Sequence, residues 1–328
     1  MSRRGHRKWR NESDSTVGVV MATSILAGVE LGGTKCVCVL ATPTGEILAQ
    51  ERVDTLAPDV TLPQIKAILH QWFETRRDIS ALGIASFGPV DVDKASPGWG
   101  KIGQTPKAGW TGVDIVQELS AGLGVPAVLD TDVNGAALAE MRWGAAVGLA
   151  DFAYVTIGTG VGVGLIVDGA PICGFGHAEL GHMRIPRVAG DTWPGSCPYH
   201  GDCVEGLAAG PSIISRSGMR ASLIATDDPI WTLVGHAIAQ MLHNIVLSAT
   251  PRRIFLGGGV ITAQPQLFPI IRRELQASLN GYVSSPELDR IEEYITPPGL
   301  GTLAGPLGPI ALAAALAGQA TRRPAAVA

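Results

Sequence analysis

Two histidines and two cysteines lie close together in the second half of the chain, at His182, Cys197, His200 and Cys203. Successive members are separated by 15, 3 and 3 positions, and the glycine, proline and aspartate between them favour tight turns. Thiolate sulfur and imidazole nitrogen are the ligands of closed tetrahedral zinc sites, and four protein ligands are typical of structural zinc. The alternative is four unrelated core or surface side chains. The spacing favours a structural zinc site.

A run of polar residues, Asp130 to Asn134, follows a predicted strand and begins a predicted helix. Ligands of α/β proteins commonly bind at the carboxyl ends of strands. Asp132 is ionised at neutral pH at its ordinary pKa, so we expect it to accept a hydroxyl proton without special tuning. A carboxylate that orients the attacking hydroxyl is a recurring part of phosphoryl transfer. The alternative role for one of these aspartates is the N-cap of the helix.

Three glycine turns follow predicted strands, at Gly32–Lys35, Gly158–Gly160 and Gly257–Gly259. Glycine lets backbone N–H groups approach a phosphate closely. The first turn is not a P-loop, because it leads into a strand, and the second lacks the G-x-G-x-x-G spacing of dinucleotide-binding turns. The alternative for the first is a plain hairpin turn. Together the three turns favour a site for nucleotide phosphates.

The hydrophobic pattern predicts alternating strands and helices in both halves of the chain. Each half opens with two strands joined by a small-residue turn, which indicates a duplicated α/β architecture of two lobes with a cleft between them. We expect residues 25–132 and a closing helix at 306–320 to form the first lobe. Residues 133–305 form the second lobe, which carries the metal loop 182–205. The predicted strands are 25–31, 36–41, 46–53, 82–86, 127–130, 152–157, 161–167 and 253–256, and the clearest helices are 63–75, 112–122, 133–143 and 229–247.

The composition excludes several classes of protein. Hydrophobic residues make up 46% of the 328 and charged residues 16%, which is typical of a globular rather than a disordered chain. The net charge of −4 argues against nucleic-acid binding, which needs concentrated Lys and Arg. Basic residues cluster only in a tail at 1–24. The apolar run after them is too short and interrupted to span a membrane and supplies the first strand, so we expect neither a signal peptide nor a membrane anchor.

Five cysteines without a secretory signal favour reduced thiols in the cytoplasm over a disulfide framework. Two of them belong to the predicted metal site. We expect the other three, Cys36, Cys38 and Cys173, to be small core residues.

In combination, these segments resemble the ROK sugar kinases over nearly the whole chain, and most closely their fructokinase branch. Glu30–Lys35 resembles the family's first phosphate loop. Gly88–Asp91 and Thr105–Trp110 resemble its sugar-side segments, and Cys197–Glu205 resembles its zinc loop.

The resemblance implies an actin-like ATPase fold with ribonuclease H-like lobes, Mg²⁺·ATP as the phosphoryl donor, transfer to the 6-hydroxyl of fructose, and a homodimer. It places Asp132 at the family's catalytic base, and we expect zinc to fix His182 and Glu205 in the sugar pocket. The sugar contacts it implies are Gly88, Thr105, Asn134, Glu179, His182 and Glu205. The ATP contacts it implies are Gly32, Gly33, Thr34, Lys35, Thr156, Gly158, Thr159, Gly160, Gly257 and Gly258.

Two positions favour the fructokinase branch. Thr131 stands where the family's glucokinases carry Asn, and His200 stands where they carry Cys. Glucokinase and mannokinase are the alternatives within the family, because a few hydrogen bonds decide which sugar hydroxyls are accepted. A sugar-responsive regulator would need a DNA-reading module ahead of the first strand, and we expect too few residues before Ile25 for one. A non-catalytic sugar sensor could lack Asp132, which this chain has.

Overall fold

The structure is a computed structural model that describes residues 24–320. The predicted basic tail, apart from its last residue, lies outside this range. The first sheet is built from the N-terminal part of the chain. The strand order is β3-β2-β1-β4-β5. Strands β1, β4 and β5 are parallel, and β2 is antiparallel to both of its neighbours. The strands are β1 (Ile25–Leu31), β2 (Lys35–Ala41), β3 (Ile47–Asp54), β4 (Ile79–Ser86) and β5 (Ala127–Thr131).

The second sheet repeats this connectivity. Its order is β8-β7-β6-β9-β10, with β6, β9 and β10 parallel and β7 antiparallel to both of its neighbours. The two-fold repetition confirms the duplicated α/β architecture predicted from the two opening hairpins. The strands are β6 (Phe152–Ile157), β7 (Val161–Val167), β8 (Ala170–Pro171), β9 (Ile254–Gly257) and β10 (Ile295–Thr296).

Helices connect the strands and cover the sheets. Those of the first half are α1 (Pro58–Thr75), α2 (Ile115–Ser120) and α3 (Asp132–Trp143). Those of the second half are α4 (Val204–Ala208), α5 (Gly210–Ser217), α6 (Ile230–Ala249), α7 (Gly259–Ala263), α8 (Leu267–Leu279), α9 (Pro286–Asp289), α10 (Ile291–Tyr294) and α11 (Ala304–Ala320). Short 3₁₀ turns occur at Leu180–His182, Ala221–Leu223 and Gly301–Leu303.

Two predicted helix boundaries are wrong for identifiable reasons. Helix α1 begins at Pro58 rather than at residue 63, because the buried Thr61 hydroxyl donates to Asp54 O and accepts from Leu56 N, which holds an additional first turn. Helix α2 is much shorter than the predicted 112–122. Asp114 caps it by accepting from Gln117 N, and the glycines that end the predicted range have positive φ angles that a helix cannot contain.

Helices α3 and α11 pack against each other between the two sheets. Ala139 of α3 meets Leu307 and Ala311 of α11 in a buried cluster. Helix α11 also covers the first sheet, where Ile310 joins the apolar residues of β1, β2 and β4. Because α3 contacts β6 and β7 as well, it belongs to neither sheet alone. The division into lobes at residue 132 therefore stays a prediction.

The closest approach of α11 to the first sheet occurs at Gly83 of β4. A Cβ atom there would lie 1.8 Å from the carbonyl oxygen of Pro309. We expect Gly83→Ala to force helix and sheet apart and to lower the free energy of unfolding by about 1–3 kcal/mol or more. Thermal and denaturant unfolding measure this loss. Gly174→Ala is the control, because a Cβ at Gly174 meets nothing within 4 Å; equal stability of the two variants would contradict this packing.

One helix within residues 24–320, α6, has the length and hydropathy of a membrane span, with a mean hydropathy of 1.3. Most of it is buried: Met241 and Leu242 are fully enclosed in the apolar core of the second sheet. Core helices pass the same test of length and composition, so this helix is weak evidence for a membrane span.

The free cysteines differ in their surroundings. Cys36 and Cys38 are buried on one face of β2, as predicted. Cys173 is exposed, so its assignment to the core is wrong. It follows the two-residue strand β8 and begins the turn Cys173–His177, whose central Phe175 is fully exposed.

Candidate active site

A cleft of about 520 Å³ receives residues from both sheets. This volume is within the usual range for small-molecule sites. Turns at the ends of β1, β4 and β5 line one side, and the β6–β7 turn with the 177–182 and 198–205 segments lines the other. Of the predicted site residues, those that line the cleft are Gly32, Gly33, Thr34, Lys35, Gly88, Thr105, Asp132, Thr156, Gly158, Thr159, Gly160, Glu179, His182 and Glu205.

Asp132 is available to a ligand because its neighbours perform the capping. Thr131 is the N-cap of α3, and its hydroxyl accepts from Asn134 N at 3.2 Å. The Asp130 carboxylate accepts from Asn134 Nδ2 and from Thr131 N, both at 2.7 Å. Within residues 24–320, the hydrogen bond that the Asp132 carboxylate accepts from another residue comes from the adjacent Val133 N, at 2.9 Å, on Oδ1. The second carboxylate oxygen of Asp132 is therefore free to accept a bond in the cleft.

The pKa of Asp132 is strongly displaced. Burial and, to a smaller extent, the negative charge of Glu30 together raise the pKa of its carboxyl to about 7. The Asp132 side chain remains partly open to the cleft. Water in the cleft therefore reduces the desolvation that raises this pKa, and a bound sugar that displaces the water would restore the desolvation. The expectation that Asp132 needs no tuning is therefore wrong. Burial makes it a stronger base near neutral pH than an ordinary aspartate.

The first two glycine turns face each other across the cleft. A Cβ atom on Gly33 would lie 3.4 Å from the Thr159 side chain. The first turn is closed by Gly32 N donating to Lys35 O at 3.1 Å, and the second by Gly158 N donating to Gly160 O at 2.8 Å. The two turns therefore bring backbone from both halves of the molecule together at one place in the cleft, as a site for a chain of phosphates would require.

The segment after β4, which is predicted to contact the sugar, closely approaches the 177–182 segment. A Cβ atom on Gly88 would lie 2.9 Å from Glu179 Oε1, so a larger residue there would displace the Glu179 carboxylate. His177, whose side chain is buried, accepts from Val90 N through Nε2 at 3.1 Å, and its Nδ1 lies 3.6 Å from Glu179 Oε1. The bond to Val90 places the ring proton on Nδ1, which lies 3.4 Å from Ala178 O and also faces the Glu179 carboxylate. His177 therefore links the segment after β4 to the 177–182 segment.

The predicted metal ligands converge as the spacing suggested. Cys197 Sγ lies 3.7 Å from Nδ1 of His182 and 3.7 Å from Nδ1 of His200, and Cys203 Sγ lies 3.5 Å from Nδ1 of His182. With ligand bonds of about 2.0–2.3 Å, the edges of a tetrahedral site measure about 3.3–3.8 Å. The four donor atoms therefore fit one tetrahedral metal ion.

His182 connects the metal cluster to the cleft. Its Nδ1 faces the thiols, and its Nε2 lies 3.9 Å from Glu205 Oε1. Glu205 Oε2 accepts from Val161 N, just after the second glycine turn, at 3.1 Å. One carboxylate therefore stands between the metal cluster and the glycine turn. Carboxylates that face a metal-bound imidazole in this way orient the ring and raise its basicity as a ligand.

Three predicted contacts lie outside the cleft lining in the described part of the chain. Asn134 is buried, and its amide is bonded to Asp130, so it supports the start of α3 instead of facing a sugar. Gly257 and Gly258 lie behind the second turn. A Cβ atom on Gly258 would be 2.6 Å from Thr156 Oγ1. The third glycine turn thus supports the β6–β7 turn from behind.

Three acidic or basic residues of the cleft are absent from the predicted site. Glu30 and Lys107 were only members of the resembling segments, and His177 carried no prediction. Lys107 Nζ donates to Gly33 O at 2.8 Å, across 74 positions of sequence. The only sequence signal that could have indicated a role for Lys107 is that it is a basic residue two positions after Thr105, a predicted sugar contact.

Comparison with known proteins agrees with the geometry. The ROK family model matches residues 26–316. A fructokinase of Pediococcus pentosaceus is 40% identical over 291 residues, which cover 89% of this chain and 98% of that protein. A fructokinase of Lactococcus lactis subsp. cremoris is 40% identical over 271 residues, 82% of this chain and 90% of that protein.

A solved ROK family glucokinase of Streptomyces griseus, in complex with glucose and AMPPNP, superposes with a TM-score of 0.70 at 25% identity. The match covers 88% of this chain and 99% of that chain. These likenesses confirm the predicted α/β, actin-like ATPase fold. The chain therefore belongs to the ROK family, and it is a hexose kinase of that family.

Proposed function

We propose that this chain transfers the γ-phosphoryl group of Mg²⁺·ATP to the 6-hydroxyl of fructose, with Asp132 as the general base. The observation that carries the proposal is the position of Asp132 at the carboxyl end of β5. It lines the same cleft as the two facing glycine turns and as Glu179, His182 and Glu205. The fructokinases at 40% identity favour fructose as the sugar.

The reaction divides between two regions of the cleft, each of which receives residues from both sides. The turns Gly32–Lys35 and Gly158–Gly160 bind the phosphates of ATP, while Gly88, Thr105 and Glu179 orient the sugar. Asp132 accepts the proton as the hydroxyl oxygen bonds to the γ-phosphorus. The bond from that phosphorus to the β–γ bridging oxygen breaks, and ADP leaves. Positioning and charge neutralisation supply most of the acceleration in such reactions.

The cleft offers oxygen ligands for the magnesium ion that accompanies ATP. Glu30 and Asp132 both line it, and their like charges oppose each other, which raises the pKa of Asp132. Carboxylates and phosphate oxygens are the ligands that Mg²⁺ prefers. When bound, this ion neutralises phosphate charge. Glu30 would hold it on the protein side, which leaves the second oxygen of Asp132 for the sugar hydroxyl.

We further propose that the tetrahedral Cys/His cluster holds a structural zinc ion. Four donors leave no open coordination position, which argues against a catalytic metal. His182 would bind zinc through Nδ1 and keep Nε2 toward Glu205 and the sugar. The zinc therefore fixes the shape of the sugar pocket without contact with the reacting atoms.

The displaced pKa of Asp132 predicts a pH dependence. The base must be ionised, so we expect kcat/KM for the sugar to fall about tenfold per pH unit below about pH 7. Initial rates at saturating Mg²⁺·ATP from pH 5 to 9 measure this limb. Glu30→Gln removes a neighbouring negative charge and should move the limb to lower pH. A limb near pH 4 in the unaltered protein would contradict the tuning by burial.

The proposed specificity is tested by one coupled assay of ADP formation with fructose, glucose and mannose at matched concentrations. We expect the highest kcat/KM with fructose. A clear preference for glucose or mannose would assign the glucokinase or mannokinase alternative instead. Hexose binding without turnover of any of the three would favour a sugar-sensing regulator.

Assembly and location follow from the same family resemblance. We propose a homodimer in the cytoplasm that binds neither nucleic acid nor membrane. Light scattering during gel filtration tests the dimer, since a mass near 34.1 kDa would identify a monomer.

A further inference from the structure

A lysine stands between the phosphate side and the carboxylates of the cleft. The Lys107 side chain is half-buried and lines the cleft. Its ammonium group donates to Gly33 O at 2.8 Å and lies 4.9 Å from the centroid of the Phe87 ring. An ammonium has three donors. Among residues 24–320, Gly33 O is the one protein acceptor within hydrogen-bond distance of it, so donors remain for a ligand.

The charges around Lys107 are those of the reaction site. Burial lowers its pKa, while the negative charges of Asp132 and Glu205 oppose this effect and favour the ammonium form. The amine is therefore held near the proposed base and near the carboxylate beside the second glycine turn. Its stem runs from the sugar-side segment, and its tip reaches the first phosphate turn.

The backbone that carries Lys107 is firmly anchored. Thr105 Oγ1 accepts from Lys107 N at 3.4 Å, and Thr111 Oγ1 accepts from Thr105 N at 3.3 Å. Trp110 is fully buried, its indole N–H donates to Leu56 O at 2.8 Å, and its ring packs edge-on against Phe87 at 5.2 Å. A long flexible side chain is thus directed into the cleft from a rigid base, which lowers the entropy cost of positioning it.

We propose that Lys107 is a catalytic residue that binds the phosphoryl group as it passes from ATP to the sugar hydroxyl. The proposal rests on the proposed kinase function. Lys107 stays protonated throughout, and its free N–H groups donate to the oxygens of the transferring group. Meanwhile the hydroxyl proton goes to Asp132, the new O–P bond forms, and the bond to ADP breaks. The donor stabilises charge that the transferring group carries at the transition state.

A purely structural role makes a different prediction. If Lys107 only holds the first turn through Gly33 O, an amide at the same position could replace it. Lys107→Gln keeps an N–H donor, on a side chain one bond shorter, and removes the charge. Lys107→Arg keeps the charge, and Lys107→Met removes both. Lys94→Met is the matched control, because Lys94 is an exposed turn residue away from the cleft lining.

The test is the steady-state kinetics of these variants with fructose, glucose and mannose, together with their melting temperatures. We expect Lys107→Gln and Lys107→Met to lose about 100-fold or more in kcat, with KM for the sugar changed much less. Lys107→Arg should retain more activity than either, and Lys94→Met should match the unaltered protein. Small primary alkylamines should restore part of the activity of Lys107→Ala, because their ammonium group can occupy the position of the Lys107 ammonium.

The catalytic role of Lys107 would be overturned if kcat of Lys107→Gln fell by less than about threefold instead of the roughly 100-fold expected. The proposed kinase function would not be affected by that result. An unaltered protein that phosphorylates none of the three sugars would overturn both. If Lys107→Met fails to fold, the Gln and Arg variants and the amine experiment still decide.

Discussion

Asp132→Asn is expected to lower kcat by about 10²–10⁴-fold, the usual contribution of a positioned general base. The amide has nearly the shape of the carboxylate, so the Val133 N–H can still donate to its oxygen. What is lost is the ability to take the hydroxyl proton. ATP and sugar binding should change little, because other groups line those parts of the cleft. Initial-rate kinetics and calorimetric titration of both ligands measure the two quantities separately.

The matched control for this variant is Asp130→Asn. Asp130 lies two residues earlier, but its carboxylate accepts from Thr131 N and Asn134 Nδ2 and does not line the cleft. Its replacement should lower the melting temperature and reduce kcat far less. An Asp132→Asn variant that retains a tenth of the turnover would remove Asp132 from the role of base.

Asp132→Asn should also be more stable than the unaltered protein at alkaline pH. The carboxyl pKa of Asp132 is raised by folding to about 7, so the protonated form favours the folded state. Stability is therefore lost as pH rises from the ordinary value near 3.8 through about 7. Asparagine is neutral at every pH and avoids this loss. A lower activity with a higher melting temperature at pH 8 distinguishes a lost base from a damaged fold.

Cys203→Ser is expected to remove the metal and weaken sugar binding while the local helix survives. Cys203 is the N-cap of α4, and its sulfur accepts from Gly206 N. Serine is itself a favourable N-cap, but its hydroxyl is a poor substitute for a thiolate on zinc. Helix α4 carries Glu205, and the cluster also holds His182, so both cleft residues should lose their fixed positions. We expect KM for the sugar to rise about tenfold or more, with a smaller change in kcat.

Metal content and kinetics measured on the same preparation test this expectation. Elemental analysis should find one zinc per chain in the unaltered protein and none in Cys203→Ser. Cys173→Ser is the control, because Cys173 is exposed and outside the cluster. Prolonged chelation should raise the sugar KM before the protein unfolds. If chelation removes the metal and leaves that KM unchanged, the zinc does not shape the sugar pocket.

Much of the fold could be predicted from the sequence, because the residue patterns that indicate strands and turns are local. Apolar runs bounded by glycine turns marked the strands of both sheets, and their similar order in the two halves indicated the duplication. The helix boundaries were less accurate. Pro63 suggested a helix start, but the tertiary bonds of Thr61 extend α1 to Pro58. The exposed Cys173 shows the same limit, since hydrophobic character does not reveal whether a turn has a neighbour to pack against.

The sequence by itself located the Cys/His cluster that is proposed to hold zinc and the aspartate that is proposed as the base. Four ligands within one short loop can meet without help from distant residues, and Asp132 follows a strand whose end was visible in the pattern. Only the tertiary structure decided which polar groups face the cleft. Lys107 reaches Gly33 across 74 positions and His177 reaches Val90 across 87, and the raised pKa of Asp132 depends on burial and on Glu30. Such contacts arise from packing between elements, which no local pattern of residues encodes.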